Sequence, residues 1–267
     1  MSTYQLGVIG TGAMGSALVS AVIGAGTVPA EQVLVSDVRQ EALDAFSTAT
    51  GAATTTDNQR VFDEAETVLL ALKPQILAAA LEPLRPRPGQ LVISIAAGVS
   101  LDKLAGILGD SLPIVRVMPN ILATVGAAAS GYAGNALATA EHLALADRLL
   151  SSAGAAVRVD EKLLDAVTGL SGSGPAFVAV FAEALADGGV VAGLPRADAA
   201  KLTAQVIMGV GKWLLENPAG PAALKDMVSS PGGTTIAGVR ALEAGTFRSA
   251  AIDAVVAAAQ RSRELGS

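Results

Sequence analysis

Residues 5–15 read QLGVIGTGAMG. The run Leu6–Ile9 has the length and apolar character of a buried strand. Gly10-Thr11-Gly12-Ala13-Met14-Gly15 follows it and opens a helical pattern that continues to Ile23. Strand, GxGxxG and helix in immediate succession predict the first βα turn of a dinucleotide-binding domain; the same glycines elsewhere would indicate only a flexible turn. Each glycine has a mechanical task. Gly10 permits the tight turn, Gly12 lets the backbone approach a pyrophosphate, and Gly15 lets helix and strand pack closely, so that the helix N-terminus faces the phosphates.

Working outward, strands are predicted at Gln5–Ile9, Val33–Ser36, Thr67–Leu72, Leu91–Ile95 and Ile114–Met118, with a weaker one at Val157–Val159. Helical patterns near 13–25, 40–49, 75–82, 101–108 and 139–152 alternate with them. That alternation predicts a doubly wound α/β domain, a parallel sheet covered by helices, over residues 1–160. After about residue 160 the strand signals stop, and Gly and Pro at 172–175, 193–195, 217–221 and 231–233 separate helices, so residues 161–267 are expected to form an all-α domain. This half is rich in Ala and Gly and poor in aromatics. Its own core would be thin, and small side chains allow close helix contacts, so it is expected to dimerise by interleaving with a second copy. A compact bundle leaning on its own first domain is the alternative.

Composition narrows the chemistry. The chain has 267 residues, 51% of them apolar, no Cys and one His. Disulfides, thiolate nucleophiles and Cys- or His-based metal centres are thereby excluded, and no metal site is expected. A net charge of -6 with no Lys/Arg cluster argues against a nucleic-acid partner. The apolar stretch Ala13–Ile23 lacks a basic flank, and Ala176–Ala186 is followed at once by Asp187 and contains Glu183, so neither a signal peptide nor a membrane span is expected, and the cytoplasm is the expected location.

At the end of the second predicted strand, Ser36-Asp37-Val38-Arg39 holds the position where such domains distinguish the two nicotinamide cofactors. Asp37 suits the ribose hydroxyls of NAD; Ser36 and Arg39 suit the 2′-phosphate of NADP; and Asp37 could instead simply cap the next helix. Two further strand ends, Ala71-Leu72-Lys73-Pro74 and Ala96-Ala97-Gly98, should border the same ligand, although a lone lysine such as Lys73 is usually only solvated.

Three stretches of the second half are more specific: Ala166–Phe177 (AVTGLSGSGPAF), Glu183–Arg196 (EALADGGVVAGLPR) and Lys225–Glu243 (KDMVSSPGGTTIAGVRALE). Together with Gly10–Gly15, Lys73-Pro74, Ser94–Val99 (SIAAGV) and Val117–Asn120 (VMPN), they resemble the pyrroline-5-carboxylate reductase family along essentially the whole chain. The resemblance implies reduction of the C=N bond of 1-pyrroline-5-carboxylate to L-proline with hydride from NADPH or NADH, and dimers that assemble further into rings. It adds Asn58 and Asn120 to the cofactor-facing residues. It implies substrate contacts from Ser230, Gly233, Thr234 and Thr235, with the Val228 carbonyl accepting from the ring nitrogen, Thr235 near that nitrogen as positioner or proton donor, and Thr168, Ser171 and Ser173 lining the pocket.

Physical chemistry agrees with that reading. A protonated cyclic imine is already electrophilic, so the protein mainly has to align donor and acceptor in a dry site. Ser229–Thr235 precedes a helical pattern, and the N–H groups of a helix start, approached past Gly232 and Gly233, suit a carboxylate. Taken alone, Ser/Thr before a helix is an ordinary N-cap, and Ala166–Phe177 would be a Gly/Ser hinge. The sequence departs from the family where Ile121-Leu122 replaces the usual Thr-Pro and where Ala127-Ala128 replaces Glu-Gly. His142 is expected on a solvated face with no role, and Trp213 in core or dimer interface. Two other functions stay open: a β-hydroxyacid dehydrogenase, which needs a proton donor for the forming alkoxide, commonly a lysine that Thr168–Phe177 lacks, and a non-catalytic NAD(P)-binding regulator.

Overall fold

A computed structural model describes residues 3–266. The chain forms two compact units, one running to Ser173 and resuming at Ala257, the other Gly174–Val256.

The first unit is built on eight strands: β1 (Tyr4–Ile9), β2 (Val33–Ser36), β3 (Ala53–Thr55), β4 (Ala65–Leu70), β5 (Leu91–Ser94), β6 (Ile114–Met118), β7 (Ala128–Gly134) and β8 (Gly154–Arg158). Their spatial order is β3-β2-β1-β4-β5-β6-β7-β8. The first six are mutually parallel, with the order reversing at β1 and β4, as in a doubly wound dinucleotide fold. The last two are a correction to the expected parallel sheet: β7 runs antiparallel to β6, and β8 runs parallel to β7. Only the short turn Ile121–Val125 separates β6 from β7, too little chain for the crossover that a parallel neighbour needs.

Alternation along the strands explains why both faces are covered. Leu6, Val8, Val33, Val35, Ile93, Val115 and Val117 enter one core, packed by α1 (Ala13–Gly24), α2 (Gln40–Thr50) and the later helix Ala140–Ser151. Their neighbours Ile9, Leu34, Val68, Leu70, Val92 and Ile114 enter the other, packed by α3 (Asn58–Glu64), α4 (Pro74–Leu81) and α5 (Leu101–Leu108). A period of two with apolar residues at both phases yields near-continuous apolar strands. The later helix, α6, begins with a capping box in which the Thr139 hydroxyl accepts from His142 N–H and His142 Nδ1 accepts from Thr139 N–H. His142, given no task by its sequence, is thus a helix cap. Next come α7 (Leu164–Val167) and a π-helical turn, Thr168–Gly172.

The second unit contains α8 (Gly174–Val191), α9 (Arg196–Glu216), α10 (Gly220–Met227), α11 (Thr234–Ala244) and the first half of α12 (Phe247–Gly266). Small residues let α8 and α9 approach: a side chain added at Gly189 would lie 3.1 Å from Ala199 Cβ. Among the described residues of this unit only Ala186, Ala199 and Thr203 are buried, while Val180, Leu202, Val206, Met208 and Leu215 are largely exposed. The helical run Glu161–Val191, 31 residues, is long and apolar enough by length and composition to cross a membrane, with 6% of its apolar window buried in the chain. The expectation that Glu183 and Asp187 would cut this run short is corrected, because an isolated charge interrupts neither the helix nor the mean character of an 18-residue window.

Candidate active site

At the carboxyl ends of β1, β2 and β4 lies a cleft of about 750 Å3. It gathers Gly10, Thr11, Gly12, Ala13, Ser36, Asp37, Arg39, Asn58, Ala71, Leu72 and Lys73, candidates from four separate segments. The glycine turn shows why its spacing is demanded. Gly10 sits at φ 106°, and a Cβ there would lie 2.6 Å from the Ala71 carbonyl oxygen. At Gly15 a Cβ would meet Ala71 Cβ at 2.6 Å and the Gly10 oxygen at 2.9 Å, so α1 presses directly on the turns after β1 and β4. At Gly12, by contrast, a Cβ would have nothing within 4 Å. That space opens at the N-terminus of α1, whose N-cap is Gly12 and which carries no side-chain cap. An uncapped helix start beside a bare backbone is a ready anion cradle, and it fits the pyrophosphate of a dinucleotide.

The acidic group at the end of β2 is fully engaged. Asp37 Oδ2 accepts from Thr11 N–H at 2.9 Å and from the Thr11 hydroxyl at 2.6 Å, while Oδ1 accepts from Arg39 N–H at 3.0 Å and Arg39 Nε at 3.3 Å. Burial works against its charge, but these donors outweigh burial and take its pKa from 3.8 down to about 2. The N-cap of α2 is Arg39, not Asp37. The Ser36 hydroxyl is buried and donates to Asn58 Oδ1 at 2.7 Å. Arg39 keeps most of its side chain exposed at the cleft.

Met14, Gly15, Pro74, Ala97 and Asn120 do not line this cleft. Met14 packs against the small cluster of Leu18 and Ala123, Gly15 is buried in the contact just described, and Pro74 is the first residue of α4. Ala97 is exposed on the turn after β5. Asn120 is buried after β6 and caps the turn Ile121–Val125, which forms without the proline usual in the resembled family. The lining also includes Val38, Ile76 and Ala80, to which the sequence alone assigns no role. Val38, inside Ser36–Arg39, and Ile76, two residues past Pro74, are apolar yet exposed, and that is the available signal.

Thr168 and Ser171 lie on the π-helical turn and donate to the carbonyls of Leu164 and Val167 at 2.9 and 3.0 Å. With their protons so placed, both hydroxyls keep lone pairs with which to accept. In the second unit, Val228, Ser230, Gly233, Thr234 and Thr235 cluster at the start of α11. Its N-cap is Gly233, and no side chain caps it. Ser230 Oγ occupies the place of a Gly233 side chain, 2.3 Å from where its Cβ would be. The Ser229 hydroxyl donates instead to the Lys225 carbonyl at 2.7 Å. The serines of this loop therefore do not act as ordinary caps, and the first N–H groups of α11 have no side-chain acceptor.

Sheet order, glycine turn and strand-end cleft together define a Rossmann-type oxidoreductase with a helical second half. Residues 5–98 match the family described as NADP oxidoreductase, coenzyme F420-dependent, and residues 161–265 match pyrroline-5-carboxylate reductase dimerisation. A pyrroline-5-carboxylate reductase of Methanosarcina acetivorans is 46% identical, covering 100% of this chain and 99% of its own. Among solved structures, a pyrroline-5-carboxylate reductase from Coxiella burnetii is similar with a TM-score of 0.95 and 33% identity, and one from Plasmodium falciparum with NADP bound has a TM-score of 0.86 and 30% identity; both comparisons cover 100% of each chain. The chain belongs to the pyrroline-5-carboxylate reductase family.

Proposed function

We propose that this chain reduces 1-pyrroline-5-carboxylate to L-proline, the last step of proline biosynthesis, using NADP(H). The observation that carries the reading is whole-length kinship with proteins named for that reaction. The cofactor assignment is supported by the NADP-bound relative and by Asp37, whose oxygens are already taken by Thr11 and Arg39.

When bound, the nicotinamide supplies the hydride. Gly10–Gly15 would hold the pyrophosphate, Arg39 with Asn58 the adenosine end, and Ala71–Pro74 with Ala97 the approach to the nicotinamide. The substrate carboxylate would rest on the uncapped N–H groups of α11, helped by Ser230, Thr234 and Thr235. The ring nitrogen carries a single proton, which would be donated to the Val228 carbonyl, and Thr168 and Ser171 are proposed to face the imino acid. Hydride adds to the imine carbon while the C=N pair withdraws onto nitrogen, which keeps its proton and becomes the amine of proline. Thr235 acts beside that nitrogen. The chain's residues thus align, neutralise and exclude water. We place the enzyme in the cytoplasm, where a chain without cysteine needs no oxidising partner.

We also propose a homodimer through the second unit, with residues 161–267 as the substrate-binding and dimerisation domain after a nucleotide-binding domain of 1–160. Support comes from the match to a dimerisation family and from a unit that buries almost no apolar side chain alone. On this reading the apolar helix Glu161–Val191 is covered by a second copy, not by a membrane, and the mass in solution also reads whether dimers form rings.

Incubation with NADPH and either 1-pyrroline-5-carboxylate or a panel of 3-oxo acids tests the reaction. Consumption of NADPH with the imine alone is expected. Turnover confined to the 3-oxo acids would make the chain a carbonyl reductase, and NADPH binding without turnover would make it a regulator.

A further inference from the structure

The geometry points to Asn120 as a positioning residue that fixes the π-helical turn Thr168–Gly172 against the end of β6. Its side chain is buried, with 4% of the residue exposed. Oδ1 accepts from Leu122 N–H at 3.2 Å and Ala129 N–H at 3.3 Å, and Nδ2 donates to the Ser171 carbonyl at 2.9 Å. One amide thereby joins the turn after β6, the first residues of β7 and the π-helical turn.

The attachment is needed because of the local helix geometry. In this turn Ser173 N–H reaches back five residues to the Thr168 carbonyl at 2.8 Å, which widens the helix and takes its carbonyls off the usual ladder. Asn120 takes up the Ser171 carbonyl. Beside it, Gly172 leaves room for Met118: a Cβ at Gly172 would lie 2.7 Å from Met118 Cε. Two consecutive residues of the turn are therefore gripped by two nearby residues of the β6 end. Thr168 and Ser171, the hydroxyls on that turn, are set by a side chain that itself lines no part of the nucleotide cleft. This inference rests on the proposed reading in which those hydroxyls face the imino acid.

Asn120→Asp keeps the shape and the Oδ1 acceptor but replaces the donor with an oxygen facing the Ser171 carbonyl. For the full-length enzyme the expected result is a fall in kcat/KM for 1-pyrroline-5-carboxylate of about tenfold or more, most of it in KM, since small displacements of positioning groups cost that much. NADPH affinity, titrated without substrate, stays within about twofold of the parent, because no cofactor contact is removed. Amide exchange across residues 168–173 accelerates. An NADPH affinity weakened by the same factor as kcat/KM would make Asn120 a cofactor ligand and overturn the inference, as would unchanged kcat/KM in an active enzyme. Should the parent not reduce the imine at all, the functional reading fails separately, and exchange still decides: faster exchange in the variant upholds the positioning role and unchanged exchange ends it. If Asn120→Asp does not fold, Gly172→Ala, opposed only by the flexible end of Met118, is expected to give the same split.

Discussion

Thr11 and Asp37, 26 residues apart, are joined twice by one carboxylate oxygen, which accepts the Thr11 hydroxyl at 2.6 Å and its N–H at 2.9 Å. The other oxygen accepts two donors from Arg39. An ionised carboxylate offers about four lone-pair sites, and all are used. The acidic group that would otherwise hold ribose hydroxyls instead ties the glycine turn to the end of β2 and orients Arg39.

That tie should make folding stability depend on acid. The pKa of Asp37 is depressed from 3.8 to about 2. Its contribution is therefore fully present above about pH 4 and is lost as pH falls toward 2, amounting to about 2 kcal/mol from the shift. Thermal unfolding of the parent and of Asp37→Asn between neutral pH and pH 2.5 checks this. The parent should lose more stability than the variant across the acid range, and parallel curves would show the carboxylate to be energetically idle.

Arg39 is the cation proposed to distinguish the two cofactors. If it meets a 2′-phosphate, Arg39→Ala should lower kcat/KM with NADPH by about ten- to a hundredfold, the scale of a lost charge-assisted hydrogen bond. The NADH rate should change little. Equal losses with both cofactors would move Arg39 from specificity to general support of the β2 end.

The three glycines of the turn should separate into two kinds. Gly12→Val meets open space, so the protein should melt like the parent while NADPH affinity falls at least about a hundredfold, because the side chain fills the phosphate approach. Gly15→Val drives its side chain into Ala71 and the Gly10 carbonyl, and should lower stability by about 1–3 kcal/mol, the usual cost of overpacking. Unfolding curves and NADPH titrations on the two variants give the comparison. A destabilised Gly12→Val that binds normally would reverse the assignments.

The elements that could be read from sequence were those whose own residues carry a period or a motif. β2 and β6 fall where Val33–Ser36 and Ile114–Met118 predict them. β7 was missed because Ala-Ala-Ser-Gly-Tyr-Ala-Gly has little strand propensity. Its smallness is imposed by a distant neighbour, since a Cβ at Gly131 would lie 2.8 Å from the Val167 side chain. The helix α3 was missed because Val61 and Phe62 are adjacent, with no helical period to reveal them. In the site, spacing revealed the glycine turn and the strand ends. It could not reveal that Ser36 would donate inward to Asn58, or that Asp37 would be consumed by Thr11, because those choices depend on side-chain directions fixed only after β1, β2 and α3 pack.

Thr235 lies half-buried in the first turn of α11, whose N–H groups no side chain caps. Thr235→Ala removes one hydroxyl and leaves the helix start intact. Turnover of 1-pyrroline-5-carboxylate should drop about ten- to a hundredfold, on the scale of a lost positioning or proton-donating group, while NADPH affinity holds. Steady-state rates beside an NADPH titration are the measurement, and unchanged turnover would remove Thr235 from the reaction.

The exposed apolar face of α9 gives the last prediction. Val206 and Met208 are 56% and 60% exposed on a helix that buries only Ala199 and Thr203. A unit with so little interior cannot offset its conformational entropy by its own packing. If a second copy covers α9, Val206→Asp places an unpaired charge in a desolvated interface, and the penalty should shift the protein toward monomer or toward loss of the second unit's helix content. Light scattering gives the mass and circular dichroism the helicity, each as a function of protein concentration. Thr3, at the solvated start of the sheet, supplies the control position for a Thr3→Asp variant, which should leave the mass unchanged. A Val206→Asp protein with the parent's mass and melting curve would place the dimer contact elsewhere in the second unit.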